Sequence, residues 1–465
     1  MRNGLPLGST VELKIDDLAF GGRGIARLDG LVVFVDGAIP GQRVRAVVQK
    51  RKRQYAEAAA TEVLERSPFE VEPVCPHFGS CGGCKLQNMT YEKQVEYKVQ
   101  QIRDLLKRIG GLESPPVEEP LLSPEPFFYR NKMEFSFSDR GSSLPSEPSP
   151  SLFLGLHRRG SFDEVVDLQT CYLQAPETQA VLQIVREFAR TSGLPAYSNR
   201  THEGFWRFLV LRRGVRTGQW MVNLVTTEPR VELLSALVPQ LLQALPGLHS
   251  VVNNINTGKG GVAFGEREEL VWGKTTIEER LGPFVFEISA NSFFQTNTLQ
   301  AERLYQRVLE FADLTGREKV FDLYCGTGSI SLFVSRQARE VIGIELVEDA
   351  VADAWRNAER NGAGNCRFVA GDVSVLLRDP QGFIREHGKP DVLILDPPRD
   401  GVHPRALIRL PSLGAKRIVY VSCNPATQAR DLAHLASSYR VERVCPVDMF
   451  PHTAHIESVA LLVTR

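Results

Sequence analysis

The 465-residue chain has no run of 18 apolar residues, so no segment reads as a membrane-spanning helix. Its opening, Met1-Arg-Asn-Gly-Leu-Pro6, lacks the apolar core of a signal peptide, and a cytoplasmic location is the expectation. No Gly-Lys-Ser/Thr phosphate loop occurs, which argues against a nucleoside triphosphatase. No internal repeat is visible, which sets aside solenoid architectures. Net charge is lacking too. Fifty-five Lys and Arg cancel 55 Asp and Glu, so the chain as a whole carries no electrostatic footprint for nucleic acid.

What is present is a globular composition, 43% hydrophobic and 24% charged, in a chain long enough for two or three domains. Charge is unevenly spread. Arg43 to Arg53 holds six cations and no acid, and Phe205 to Arg216 holds Arg207, Arg212, Arg213 and Arg216 beside Phe205, Trp206 and Phe208. Such stripes suit phosphate contact and base stacking, or else a solvated strand edge.

Along the chain, residues 1–68 read as short strands broken by glycine turns, as in a small OB-like β-barrel: Val11, Leu13 and Ile15 alternate, and Leu31–Phe34 and Val44–Val48 follow Gly21-Gly22. Residues 69–290 read as a β-rich central domain with strands such as Lys132–Ser138 and Gln219–Thr226. An embedded helix over about Tyr91–Ile109 has Val95, Val99, Ile102 and Leu106 on one face. A Ser- and Pro-rich stretch, Asp139 to Ser151, reads as a loop. Residues 291–465 alternate helices with apolar strands, as in an α/β, Rossmann-like doubly wound domain.

Of eight cysteines, Cys75, Cys81 and Cys84 cluster in a glycine-rich loop, with Cys171 far downstream. Four thiolates suit zinc or an iron–sulfur cluster, and three close ligands plus a distant fourth are more like the cluster site. Unligated thiols are the remaining alternative. Cys325, Cys366 and Cys445 read as packing residues.

Val320-Phe-Asp322-Leu-Tyr324-Cys-Gly326-Thr-Gly328-Ser329 is an apolar strand entering a glycine turn and then a helix, where the backbone can approach a cofactor closely. The following strands end in Glu345, placed for ribose hydroxyls, in Gly371-Asp372, placed for an adenine, and in Asp396-Pro-Pro398. Taken together, these four strand ends resemble an S-adenosylmethionine-dependent methyltransferase domain.

The proline motif is followed by Arg399, not by the aromatic residue of amine methylating enzymes, and it carries no cysteine of its own as RNA cytosine-C5 enzymes do. The cysteine comes one strand later, in Val421-Ser-Cys423-Asn-Pro425. Uracil C5 is a poor nucleophile until a thiolate adds at C6, and a base must then take the C5 proton. A free thiol is only a few per cent ionised at neutral pH, so local activation of Cys423 is expected.

Asp396-Pro-Pro-Arg-Asp-Gly401, Ser422-Cys-Asn-Pro425, His455-Ile-Glu457 and Phe293-Phe-Gln295-Thr-Asn297 resemble the RNA uracil-5-methyltransferase family, over essentially the whole chain. The N-terminal stretch resembles a TRAM domain, an RNA-binding barrel. Within the family the chain most resembles the branch acting on 23S ribosomal RNA (RlmD type), with transfer RNA the other substrate class. That resemblance implies Cys423 as nucleophile and Glu457 as base. It further implies Gln295, Tyr324, Ser329, Glu345, Asp372 and Asp396 as contacts to S-adenosyl-L-methionine, although relatives often have Asn in place of Ser329. Cys75, Cys81, Cys84 and Cys171 would hold a 4Fe-4S cluster, and Arg130 and Lys132 would lie near the RNA. A monomer is expected. The competing class is a non-catalytic RNA-binding iron–sulfur protein on the same fold.

Overall fold

The computed structural model describes residues 5–143 and 152–465. From residue 144 on, the stretch read as a Ser- and Pro-rich loop lies outside the described residues.

Near the N-terminus, Thr10–Lys14, Asp17–Leu18, Gly24–Leu28, Leu31–Asp36, Arg43–Arg51 and Tyr55–Glu65 form one six-stranded sheet. Period-two alternation turns Val33, Val35, Val44, Ala46, Ala56 and Ala58 into a small shared core. The cations of the first basic stripe therefore point outward, where acids on the neighbouring strands meet them. Arg43 pairs with Glu65 at 2.7 Å, Arg45 with Glu12 and Glu62, and Lys50 with Glu57 at 3.1 Å. Much of that stripe is thus neutralised across strands and is not free for phosphate.

The central region is built on an eight-stranded sheet that includes Lys132–Ser138, Phe153–His157, Trp206–Arg213, Trp220–Thr226 and Leu248–Ile255. Here the second basic stripe also departs from expectation. Arg207 and Arg212 are buried. Arg212 donates to the carbonyls of Ala290 and Ser292, and Arg216 pairs with Glu302 at 2.6 Å. A desolvated guanidinium must find acceptors, and Trp206–Arg213 is covered on both faces, so Arg207 and Arg212 are buried along with its apolar residues.

The C-terminal unit holds a seven-stranded sheet. Its strands in chain order are β1 (Lys319–Leu323), β2 (Glu340–Glu345), β3 (Cys366–Ala370), β4 (Val392–Leu395), β5 (Arg417–Ser422), β6 (Tyr439–Val447) and β7 (Glu457–Thr464). Their spatial order is β3-β2-β1-β4-β5-β7-β6, parallel except at β7, which runs antiparallel to both β5 and β6. Apolar runs such as Val392-Leu-Ile-Leu395 are covered on both faces, as a mainly parallel sheet requires. The hairpin of Thr276–Leu281 and Phe284–Ser289 adds Ile277 and Phe286 to one of these cores. On the other face, Ile102 and Leu106 of the helix Tyr91–Arg108 pack with Leu432 and Leu435. Strand order reverses at β1 and β4, so a crevice opens at the carboxyl ends of those strands.

Candidate active site

The four strand ends read as a methyl-donor site line one cavity of about 1550 Å³. Tyr324 leaves β1 with φ +70°, and Gly326 and Gly328 follow with φ +53° and +79°. A Cβ on Gly328 would sit 3.0 Å from the Phe368 ring, so glycine is needed there for both conformation and space. At the end of β2 the Glu345 carboxylate accepts from the backbone N–H of Gly326 at 3.0 Å and of Val347 at 2.9 Å, tying the acid to the glycine turn. Asp372 caps the short helix after β3, accepting from Ser374 N–H at 2.6 Å, and the Ser374 hydroxyl first and then this N–H hold its carboxyl below the usual range. Ser329 shares a hydrogen bond with Tyr305 Oη at 2.9 Å. The Gln295 carbonyl accepts from Asn131 Nδ2 at 2.8 Å, which fixes the Phe293–Asn297 segment on the central sheet. Glycine turn, ribose-height acid and adenine-height acid on one open cavity fit S-adenosylmethionine, which supplies an electrophilic methyl group when bound.

Cys423 and Glu457 line the other end of the same cavity. Register brings them together: β5 and β7 pair Ser422 with Ser458, so the residues one step beyond are Cys423 and Glu457. The surroundings set their charge. Glu457 is 4% exposed, and burial pushes its carboxyl up to about 7. Asp396 is raised well above the usual range by burial, then by Glu457 and Asp322. Cys423 is raised by burial, then by Glu457 and Asp396, with Arg399 opposing them. Burial and the two neighbouring carboxyls thus work against the thiolate, and Arg399 works for it. Arg130 lines the cavity as well, its guanidinium 5.6 Å from the Phe450 ring centroid. Lys132 does not line it. Its ammonium pairs with Glu134 at 2.5 Å.

Sequence reading missed what holds the segment leading into Glu457. Lys98 Nζ donates to Asp448 Oδ1 at 2.8 Å and to the Phe450 carbonyl at 3.2 Å, and both members of this ion pair are buried. Gln94 Oε1 accepts from His452 N–H at 3.0 Å, and the backbone N–H groups of Lys85 and Leu86 donate to the His452 carbonyl at 2.9 and 3.0 Å. Gly22 of the N-terminal sheet approaches so closely that a Cβ there would lie 2.8 Å from the Ala454 methyl. The visible signal was Lys98 itself, a lysine on the apolar stripe of its helix. Asp322 was also passed over. It is fully buried, accepts from Ser331 Oγ at 2.5 Å, and burial pushes it up to about 7.

Cys75, Cys81, Cys84 and Cys171 are unbridged thiols close enough to act on one another's charge. Burial pushes Cys81 up to about 12 and raises the other three. Among the described residues, no three His, Cys, Asp or Glu side chains close around a single ion. The iron–sulfur site expected from the sequence is therefore not borne out by a metal-binding group among the described residues. A bound cation would offset the cost of ionising buried thiols.

A profile of the family described as tRNA (Uracil-5-)-methyltransferase matches residues 262–465, and a TRAM domain profile matches residues 6–61. An uncharacterised RNA methyltransferase of Chlorobaculum tepidum is 46% identical, over 97% of this chain and 96% of its own. The chain belongs to the RNA uracil-5-methyltransferase family. Another uncharacterised RNA methyltransferase, from Nitratidesulfovibrio vulgaris, is 41% identical over 98% of this chain and 97% of its own. Among solved structures, the Pyrococcus abyssi tRNA (uracil-54, C5)-methyltransferase in complex with S-adenosyl-L-homocysteine is 30% identical. It covers 97% of this chain and 99% of its own, with TM-score 0.76. The protein is accordingly an S-adenosylmethionine-dependent RNA (uracil-5-)-methyltransferase with an N-terminal TRAM domain.

Proposed function

We propose that this uracil-5-methyltransferase works through a covalent adduct between Cys423 and C6 of a uridine turned out of its RNA into the cavity. The observation that carries this reading is the β5–β7 register, which sets Cys423 beside a buried carboxyl at the end of the donor cavity. Cys423 loses its thiol proton to cavity water, and its sulfur adds to C6, moving the C5–C6 electron pair onto C5. C5 takes the methyl group. Glu457 then removes the C5 proton, the C5–C6 double bond re-forms, and the thiolate leaves. Arg399 is placed to favour the thiolate. Gln295, Tyr324, Ser329, Glu345, Asp372 and Asp396 hold and orient the donor, and Arg130 meets the RNA.

We read residues 1–68 as the RNA-binding barrel, 69–290 as the central domain and 291–465 as the methyltransferase domain. Cys75, Cys81, Cys84 and Cys171 would hold a 4Fe-4S cluster, with a structural role. The cysteine set and barrel together favour 23S ribosomal RNA as substrate. A second reading, transfer RNA, rests on the Pyrococcus abyssi enzyme, whose likeness spans barrel and central domain as well as the catalytic part. Mapping 5-methyluridine by mass in 23S ribosomal RNA and transfer RNA from cells lacking the protein separates the two. A site lost from ribosomal RNA alone supports the first reading, a site lost from transfer RNA alone the second, and no lost site overturns both.

A further inference from the structure

The Gly-rich loop between Leu248–Ile255 and Arg267–Gly273 is held at a cost that packing alone does not explain. Arg207 reaches it from the strand Trp206–Arg213 of the same sheet, 2% exposed, and donates to the carbonyls of Asn256 at 2.7 Å, Gly258 at 2.6 Å and Gly260 at 2.5 Å. No carboxylate pairs with this buried guanidinium among the described residues. It also lies over the Tyr197 ring, its guanidinium carbon 4.0 Å from the ring centroid. Asn256 Nδ2 donates to the carbonyls of Val262 and Phe264, closing the loop on itself. Gly265 passes so near the Ile255 carbonyl that a Cβ would lie 1.9 Å from it, so only glycine fits there.

This rigid loop presents an aromatic ring to solvent. Phe264 is 59% exposed and lines the mouth of the cavity that holds Cys423. Phe293, 67% exposed, lines the same mouth from the segment before Gln295. The two loops are stapled together. Asn254 Nδ2 donates to Asn291 Oδ1 at 2.7 Å, and Asn291 Nδ2 donates to the Gly265 carbonyl at 3.4 Å. Lys259 stands exposed at the loop tip, with no ion pair among the described residues. Two exposed rings at one cavity, with a cation unpaired among the described residues on the loop that carries one of them, are the parts of a single-strand platform, stacking a base while the cation meets a phosphate.

We propose that Phe264, on the loop clamped by Arg207, stacks the nucleobase flanking the flipped uridine, with Phe293 beside it and Lys259 on the adjoining phosphate. This rests on the reading that the cavity takes a uridine from RNA. A uridine inside the cavity leaves its neighbours at the mouth, where these rings stand. Rigidity of the loop then lowers the entropy lost on binding.

The test compares the full-length wild type with Phe264→Ala, Phe264→Leu and Phe264→Tyr, each checked for an unchanged melting temperature. Two readouts are used: quenching and affinity of a dodecauridylate carrying one 2-aminopurine, and apparent KM for methyl transfer to total RNA from cells lacking the protein. Stacking predicts affinity and KM about fivefold or more poorer for Ala and Leu, with quenching lost, and Tyr close to wild type. Ala indistinguishable from wild type, or Leu as good as Tyr, overturns the platform, the latter because plain apolar cover would then suffice. Wild type that methylates no RNA overturns the uridine reading itself. An active wild type beside an unaffected Phe264→Ala sinks the platform alone.

Discussion

Cys423 and Glu457 extend the Ser422–Ser458 pair of antiparallel strands by one residue, so a thiol and a carboxyl 34 positions apart in sequence share one end of a cavity. Burial raises the proton affinity of both, and Glu457 adds to that of Cys423. Cys423→Ala is expected to abolish the covalent complex with RNA containing 5-fluorouridine, in which fluorine blocks release. A denaturing gel of labelled RNA checks this, and an adduct formed without Cys423 would place the nucleophile elsewhere.

Glu457→Gln should separate methylation from release. Methyl transfer proceeds once, and the enzyme then stays attached to its product because no base removes the C5 proton. A burst of one methyl group per protein, with RNA retained, is the expected record. Rapid turnover in the variant would deny Glu457 the base role.

The same carboxyl carries a stability signature. Its folded value of about 7 lies above its ordinary 4.5, so the native state keeps a proton that the unfolded chain gives up. Below pH 4.5 both forms are protonated and nothing is lost. As pH rises from 4.5 to 7 stability falls, by about 3 kcal/mol once both are ionised. Glu457→Gln should therefore melt higher than wild type at pH 8 and coincide with it near pH 4.5. Wild-type turnover should rise through pH 7 as the base ionises. Melting curves at both pH values and a pH–rate profile measure the two effects.

Lys98→Met leaves the Asp448 carboxylate buried without its partner and should cost about 3–5 kcal/mol. Lys98→Met with Asp448→Leu removes both charges and should recover most of that loss. Urea unfolding of the two variants decides it. Equal losses would mean that packing, not the ion pair, holds the segment leading to Glu457.

Cys84→Ser is expected to remove the absorbance near about 400 nm of anaerobically purified protein, together with its iron. Iron analysis and the visible spectrum report on this directly. Zinc in place of iron, with no such band in wild type, would overturn the cluster assignment.

Much of the site was legible in the chain because its chemistry is local. A glycine turn after an apolar strand, Asp396-Pro-Pro398 and the cysteine before Asn424-Pro425 each sit at a strand end, where a few neighbouring residues settle both backbone path and side-chain type. Charge was the part that misled. Arg207, Arg212 and Arg216 look like a nucleic-acid face in sequence, yet two are buried on backbone carbonyls and the third is paired with an acid 86 residues away.

By itself, then, the sequence determined the family and the strand-end motifs, since these are written in contiguous residues, while strand register brought Cys423 and Glu457 together. The tertiary structure alone decided which cations remain free, how Lys98 and the Gly21-Gly22 turn brace the segment before Glu457, and which carboxyls lie beside the thiol. The physical reason is the same in each case. Desolvation and ion pairing depend on which distant residues pack together, and no local pattern states that.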